Sequence, residues 1–108
     1  VFPLGFVSAI FPQKSFEDVV DIAAAHQFAC EELMCWPKVK AERRYAGVTH
    51  LDADALDDTT VKHIRNYLTT KHVTISALGY YPNPMDEDEE KCAFYINHLL
   101  KVITAAQQ

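Results

Sequence analysis

Three short apolar runs, each followed by a stretch of helical character, constrain this chain more than any other feature. Residues 4–10 (LGFVSAI) lie between Pro3 and Pro12, residues 28–36 (FACEELMCW) stop at Pro37, and residues 73–81 (VTISALGYY) run into Pro82. Runs of this length, partly β-branched and bounded by proline, predict strands. Between and after them the spacing predicts helices over 15–26, 55–71 and 88–106. Ser15 with Asp18 three residues on gives a capping box, and Phe16, Val19, Val20 and Ala23 share one face. Asp54, Asp57 or Asp58 starts the second helix, whose inner stripe is Val61, Ile64 and Leu68. The third opens on the acidic run 86–90, which the positive end of the helix dipole favours. Cys92, Tyr95, Ile96, Leu99, Val102, Ile103 and Ala106 then recur at steps of three and four. The order βαβαβα predicts an α/β fold with a parallel sheet, whose ligand sites lie at the C-terminal strand ends.

A length of 108 residues, 49% hydrophobic and 23% charged, fits one soluble domain spanning 1–108. The net charge of −5 argues against nucleic acid, which needs a basic face to neutralise phosphates. No apolar run approaches the roughly 20 residues that span a bilayer, so no membrane partner is expected. The N-terminus lacks the basic and small-residue features of a cleavable signal. Cys30, Cys35 and Cys92 have no zinc-ligand spacing and sit in apolar segments as small hydrophobes, which fits a cytoplasmic location.

The most site-like stretch is 28–45, FACEELMCWPKVKAERRY. A carboxylate pair, Glu31 and Glu32, rides on an apolar strand that turns at Trp36–Pro37 into a basic, aromatic loop. An inward carboxylate followed by cations suits a polar small molecule. Glu32 either contacts such a ligand or is a buried acid paired with Arg43, Arg44 or Lys38. Strand alternation sends Glu31 to the opposite face, toward helices or surface. Arg43 and Arg44 offer paired donors for a phosphate or carboxylate, or serve as ordinary surface arginines. His50 is an acid/base or polar ligand group, or a hydrogen-bonding loop histidine. Trp36, Tyr80 and Tyr81 fall at strand ends, where aromatics stack on sugars or simply pack. Asn83, between two prolines, contacts a ligand or holds a turn. The other four histidines have no common face with His50. No nucleophile triad, phosphate loop or nucleotide fingerprint is present, so no catalytic and no metal-ligating residue is assigned.

Taken together, LGFVSAI, ELMCWP with the following KAERRYAGVTH, and LGYYPNP resemble the first part of bacterial sugar phosphate isomerase/epimerase proteins. That family belongs to the xylose isomerase-like TIM barrel superfamily, and the likeness covers essentially the whole chain. It implies the first three units of a (β/α)8 barrel, which typically needs about 250 residues, and hence the N-terminal portion of a longer enzyme of carbohydrate metabolism. It also implies a divalent metal in the full-length parent, held by later strands, with none expected bound within this chain. Glu32 matches the acidic residue common at the second strand's end. Family members usually carry glycine after the first two helices, where the chain turns left-handed; Gln27 and His72 stand there instead.

The implied function is sugar or sugar-phosphate isomerisation or epimerisation in the parent, with Glu32, Trp36, Arg43, Arg44, His50, Tyr80, Tyr81 and Asn83 lining the substrate pocket. The isolated chain is expected to be inactive. The alternative is a non-catalytic α/β module that self-associates through its open sheet edges. An abasic-site endonuclease, the superfamily's other chemistry, is disfavoured by the acidic balance.

Overall fold

The computed structural model describes residues 2–38 and 47–108. Among these, three parallel strands, β1 (Gly5–Val7), β2 (Cys30–Met34) and β3 (Thr74–Gly79), form one sheet in the order β1-β2-β3. Helices α1 (Phe16–Ala25), α2 (Asp58–Lys71) and α3 (Glu89–Ala106) follow the strands in turn. The chain is therefore α/β with the expected βαβαβα order. No helix among the described residues is long and apolar enough to cross a membrane.

The helix ends are set by local chemistry. Ser15 and Asp18 form the reciprocal capping box ahead of α1. Of the three candidate aspartates, Asp57 caps α2 by accepting the Thr60 N–H at 2.7 Å. Asp88 caps α3 by accepting from the Glu90 and Lys91 N–H groups, so the acidic run is used as a helix start. Both α1 and α2 end in the Schellman arrangement. The Phe28 and Val73 N–H groups reach back to the Ala23 and Leu68 carbonyls, at 2.9 and 3.1 Å. The left-handed residue this motif requires is Gln27 (φ 63°) after α1 and His72 (φ 58°) after α2.

The first strand is shorter than residues 4–10. Ser8–Ile10 turns into a single 3₁₀ turn because the Ser8 carbonyl closes on the Phe11 N–H at 2.9 Å. The Met34 N–H, next along β2, is then taken by the Ser8 hydroxyl at 3.0 Å. Beyond Met34, Cys35 bridges Thr49 of the returning loop in antiparallel fashion. That loop buries Val48 and Leu51, as their apolar character predicts. Its residues 39–46 are outside the described set.

The helix-side core joins Val19, Val20 and Ala23 of α1 to Leu33, Cys35, Leu51, Val73, Tyr80 and Val102. Ser76 is an extra residue in β3: Ile75 pairs with Glu31 and Ala77 with Glu32. The bulge resets the alternation, so Ile75 before it and Leu78 after it both reach the helix-side core. The apolar periodicity of α3 proves to be two stripes rather than one. Leu99, Val102 and Ala105 meet the core, whereas Ile96, Leu100 and Ile103 are exposed. The helix α2 buries no residue fully. An apolar groove of about 340 Å³ lies in the helix layer, lined by Val61, Ile64, Leu68, Ile75, Leu78 and Ala105 among others.

A side chain held left-handed costs on the order of 1 kcal/mol. Gln27→Gly and His72→Gly are each expected to raise unfolding free energy by about 0.5–1 kcal/mol. Urea unfolding reads this as a higher midpoint with an unchanged slope.

Candidate functional site

The middle strand carries the candidate site. Leu33 and Cys35 point into the helix-side core, so alternation sends Glu32 and Met34 to the other face. There Met34 packs with Ala9, Val48 and Trp36 in a second, smaller cluster. Opposite Met34 in the ladder stands Gly79. A methyl group on Gly79 would collide with the end of the Met34 side chain and come within 2.9 Å of the Glu32 Oε1 atom. The absence of a side chain there lets Glu32 and Met34 lie over β3.

Three polar atoms at or near the C-terminal strand ends are buried without a partner: Glu32 Oε1, Trp36 Nε1 and Tyr80 OH. Trp36 and Tyr80 meet edge to face, centroids 5.0 Å apart, and Tyr80 meets His98 in the same way at 4.7 Å. Burial pushes the Tyr80 phenol up to about 12, with Tyr95 adding to it. The phenol therefore stays protonated and can donate. Tyr80 belongs to the helix-side core, where its phenol meets α3, whereas Glu32 faces the other way. On that other face the Glu32 carboxyl can accept and the Trp36 indole, packed against both clusters, can donate to a hydroxyl-rich ligand, since an unsatisfied buried polar atom costs about 1–3 kcal/mol.

The remaining candidates have partners or lie elsewhere. Lys38 pairs with Asp52 at 3.2 Å, not with Glu32. Arg43 and Arg44 lie outside the described residues. Tyr81 is 58% exposed. Asn83 holds a turn, its side-chain oxygen accepting the Met85 N–H at 3.1 Å and its carbonyl the Asp86 N–H at 3.2 Å.

His50 is a hydrogen-bonded latch. Its Nε2 lies 3.0 Å from the Phe11 carbonyl, which can only accept, so Nε2 carries the proton. Its Nδ1 therefore accepts from the Ser8 hydroxyl at 2.7 Å. Ser8, fully buried, also accepts the Met34 N–H, joining the end of β1, the end of β2 and the returning loop at one atom. Ser8 was not a sequence candidate, although a lone hydroxyl inside an apolar run was the available signal.

His98, which the sequence left without a role, is also buried. It donates from Nε2 to the Cys35 carbonyl at 2.7 Å, with Nδ1 3.8 Å from Asp54. Lys101 on the same helix binds Asp54, and this hydrogen bond is the main reason the Asp54 carboxyl sits below its ordinary value. Among the described residues, no group of three or more His, Cys, Asp and Glu side chains is placed to hold a metal ion. No protein-family model matches the chain, and no curated protein matches it either.

Burial holds the His50 pKa below its ordinary 6.5, against the raising effect of the Phe11 and Lys14 backbone. The unfolded ring takes up a proton near 6.5 and the folded ring resists it. This contribution to stability is fully present above that pH and is lost as pH falls below it. His50→Ala strands the Ser8 hydroxyl and the Phe11 carbonyl and is expected to cost about 2–3 kcal/mol. Urea titrations at pH 5 and pH 8 check both, since the variant should lose the acid-side decline.

Proposed function

We propose that this chain forms one wall of a sugar or sugar-phosphate site, as the N-terminal portion of an isomerase or epimerase of the xylose isomerase-like TIM barrel superfamily. The observation that carries the reading is the pair of buried, partnerless polar atoms on Glu32 and Trp36 toward the C-terminal end of β2. Parallel α/β sheets bind ligands at that end. The resemblance of ELMCWP and LGYYPNP supplies the substrate class and the reaction class, proton transfer next to a carbonyl. It also implies a divalent metal in the longer parent. The described residues form no cluster for one, so no role proposed here depends on it. Within this chain Glu32 accepts from a substrate hydroxyl, Trp36 donates, Tyr80 backs Trp36 from the helix side, and Tyr81 and Asn83 stand at the rim.

Trp36 is the single tryptophan, so its fluorescence reports the site directly. Sugars and sugar phosphates titrated into the chain should change it saturably, and Glu32→Gln should weaken binding about tenfold or more, consistent with loss of a charge-assisted hydrogen bond. No response to any of them overturns the reading. The isolated chain should show no turnover with divalent metal and sugar substrates, and turnover that survives purification would contradict the wall assignment.

A second reading, a self-associating α/β module, is favoured by exposed apolar surface. Ile96, Leu100 and Ile103 line one face of α3, and Phe2, Leu4 and Val7 lie exposed before and along β1. Surface of this kind marks association sites. Light scattering at rising concentration should then show dimers or larger species that Leu100→Glu disperses; a monomer throughout removes this reading.

A further inference from the structure

Glu31 lies on the helix-facing side of β2 with no solvent exposure, and neither of its carboxyl oxygens has a partner. Its ladder neighbours are Phe6 on β1 and Ile75 on β3. Phe6 continues the apolar surroundings through edge-to-face contacts with Phe11 and Phe28 at 5.8 and 5.2 Å. The β3 bulge begins immediately beside it, between Glu31 and Glu32.

Among the described residues, no charged group on the elements packed around it pairs with its carboxyl. Neither β1 nor β3 contains an ionisable residue. On α1, Glu17 binds His63 at 2.9 Å, Asp18 caps the helix, and Asp21 binds the Tyr67 hydroxyl at 2.6 Å and Lys71 at 3.3 Å. On α2, Lys62 and Arg65 are exposed. On α3, His98 and Lys101 are engaged by the Cys35 carbonyl and Asp54. On β2 and its extension, Cys35 shares the face of Glu31, and burial pushes its thiol up to about 12, so it stays neutral.

We propose that Glu31 is a protonation switch for the sheet–helix interface: β2 closes against the helices while the carboxyl carries its proton and loosens when the proton leaves. A neutral carboxyl fits an apolar layer, whereas an unpaired buried carboxylate is among the most costly groups a fold can hold. Burial alone raises the Glu31 pKa to about 7 from 4.5. The closed form thus keeps a proton that the open form releases. Stability from this group is fully present below pH 4.5 and is lost as pH rises through about 7. From pH well below 4.5 to pH well above 7 the closed-to-open equilibrium should shift by a limiting factor of roughly 300, since each pKa unit is a factor of ten.

The test compares urea unfolding of the full chain with Glu31→Gln at several pH values from 4.5 to 8. Between pH 4.5 and pH 8 the ratio of the unfolding constants, wild type over variant, should climb roughly 100-fold. The isosteric amide has no proton to lose, so the ratio isolates Glu31 from the opposite trend of His50. Glu32→Gln, on the other face, should retain the wild-type response. A flat ratio overturns the proposal, as does loss of the response in Glu32→Gln alone. Should Glu31→Gln fail to fold, carboxyl-carbon NMR of the wild type decides: a Glu31 midpoint near 7 supports the switch, and one near 4.5 removes it.

Discussion

The Ser8 hydroxyl is the joint on which the functional end of this fold depends. One oxygen receives the Met34 N–H that would otherwise end β2 unsatisfied, and its proton goes to His50. The first strand therefore stops where a 3₁₀ turn begins, and the loop returning from residue 47 is drawn against the end of β2. Thr49 reinforces that closure by donating to the Trp36 carbonyl at 2.6 Å. Trp36, and through it the strand-end aromatic group, owes its place to these bonds more than to strand pairing.

Much of this was legible beforehand, for reasons that differ by residue. Caps at Ser15 and Asp57 follow from local chemistry that needs no tertiary contact. Left-handed corners were expected where the first two helices give way to strands, and Gln27 and His72 adopt them although the glycine that favours such corners is missing. What lay hidden required three-dimensional pairing. Ser8 sits in an apolar run whose pattern says strand, and only its partner 26 residues away ends that strand. The two stripes of α3 merge at steps of three and four because the core stripe of Leu99, Val102 and Ala105 lies directly beside the exposed stripe of Ile96, Leu100 and Ile103. His98 had no assigned role in the sequence, and only the Cys35 carbonyl and the Tyr80 ring that close over it give it one. Arg43 and Arg44, the cations the basic loop offered to Glu32, fall outside the described residues.

Two buried ionisable groups give this small fold opposing demands. His50 is content only when neutral, and Glu31 is content only when protonated. Their burdens fall on opposite sides of mildly acidic pH, so stability is squeezed from both directions. The polar cluster between α1 and α2, with Asp21 holding Tyr67 and Lys71, is half-buried and near solvent, and its ion pair contributes little to that balance.

The bulge at Ser76 has a consequence for how the molecule meets its neighbours. An outer strand with a regular pleat is a template on which another chain can lay a strand of its own. Here the extra residue bends and twists the strand halfway along, so an incoming segment would fall out of step with the ladder. Of the two edges of the described sheet, the one formed by β3 is thereby a poor template for strand addition, while the edge formed by β1 keeps a regular register.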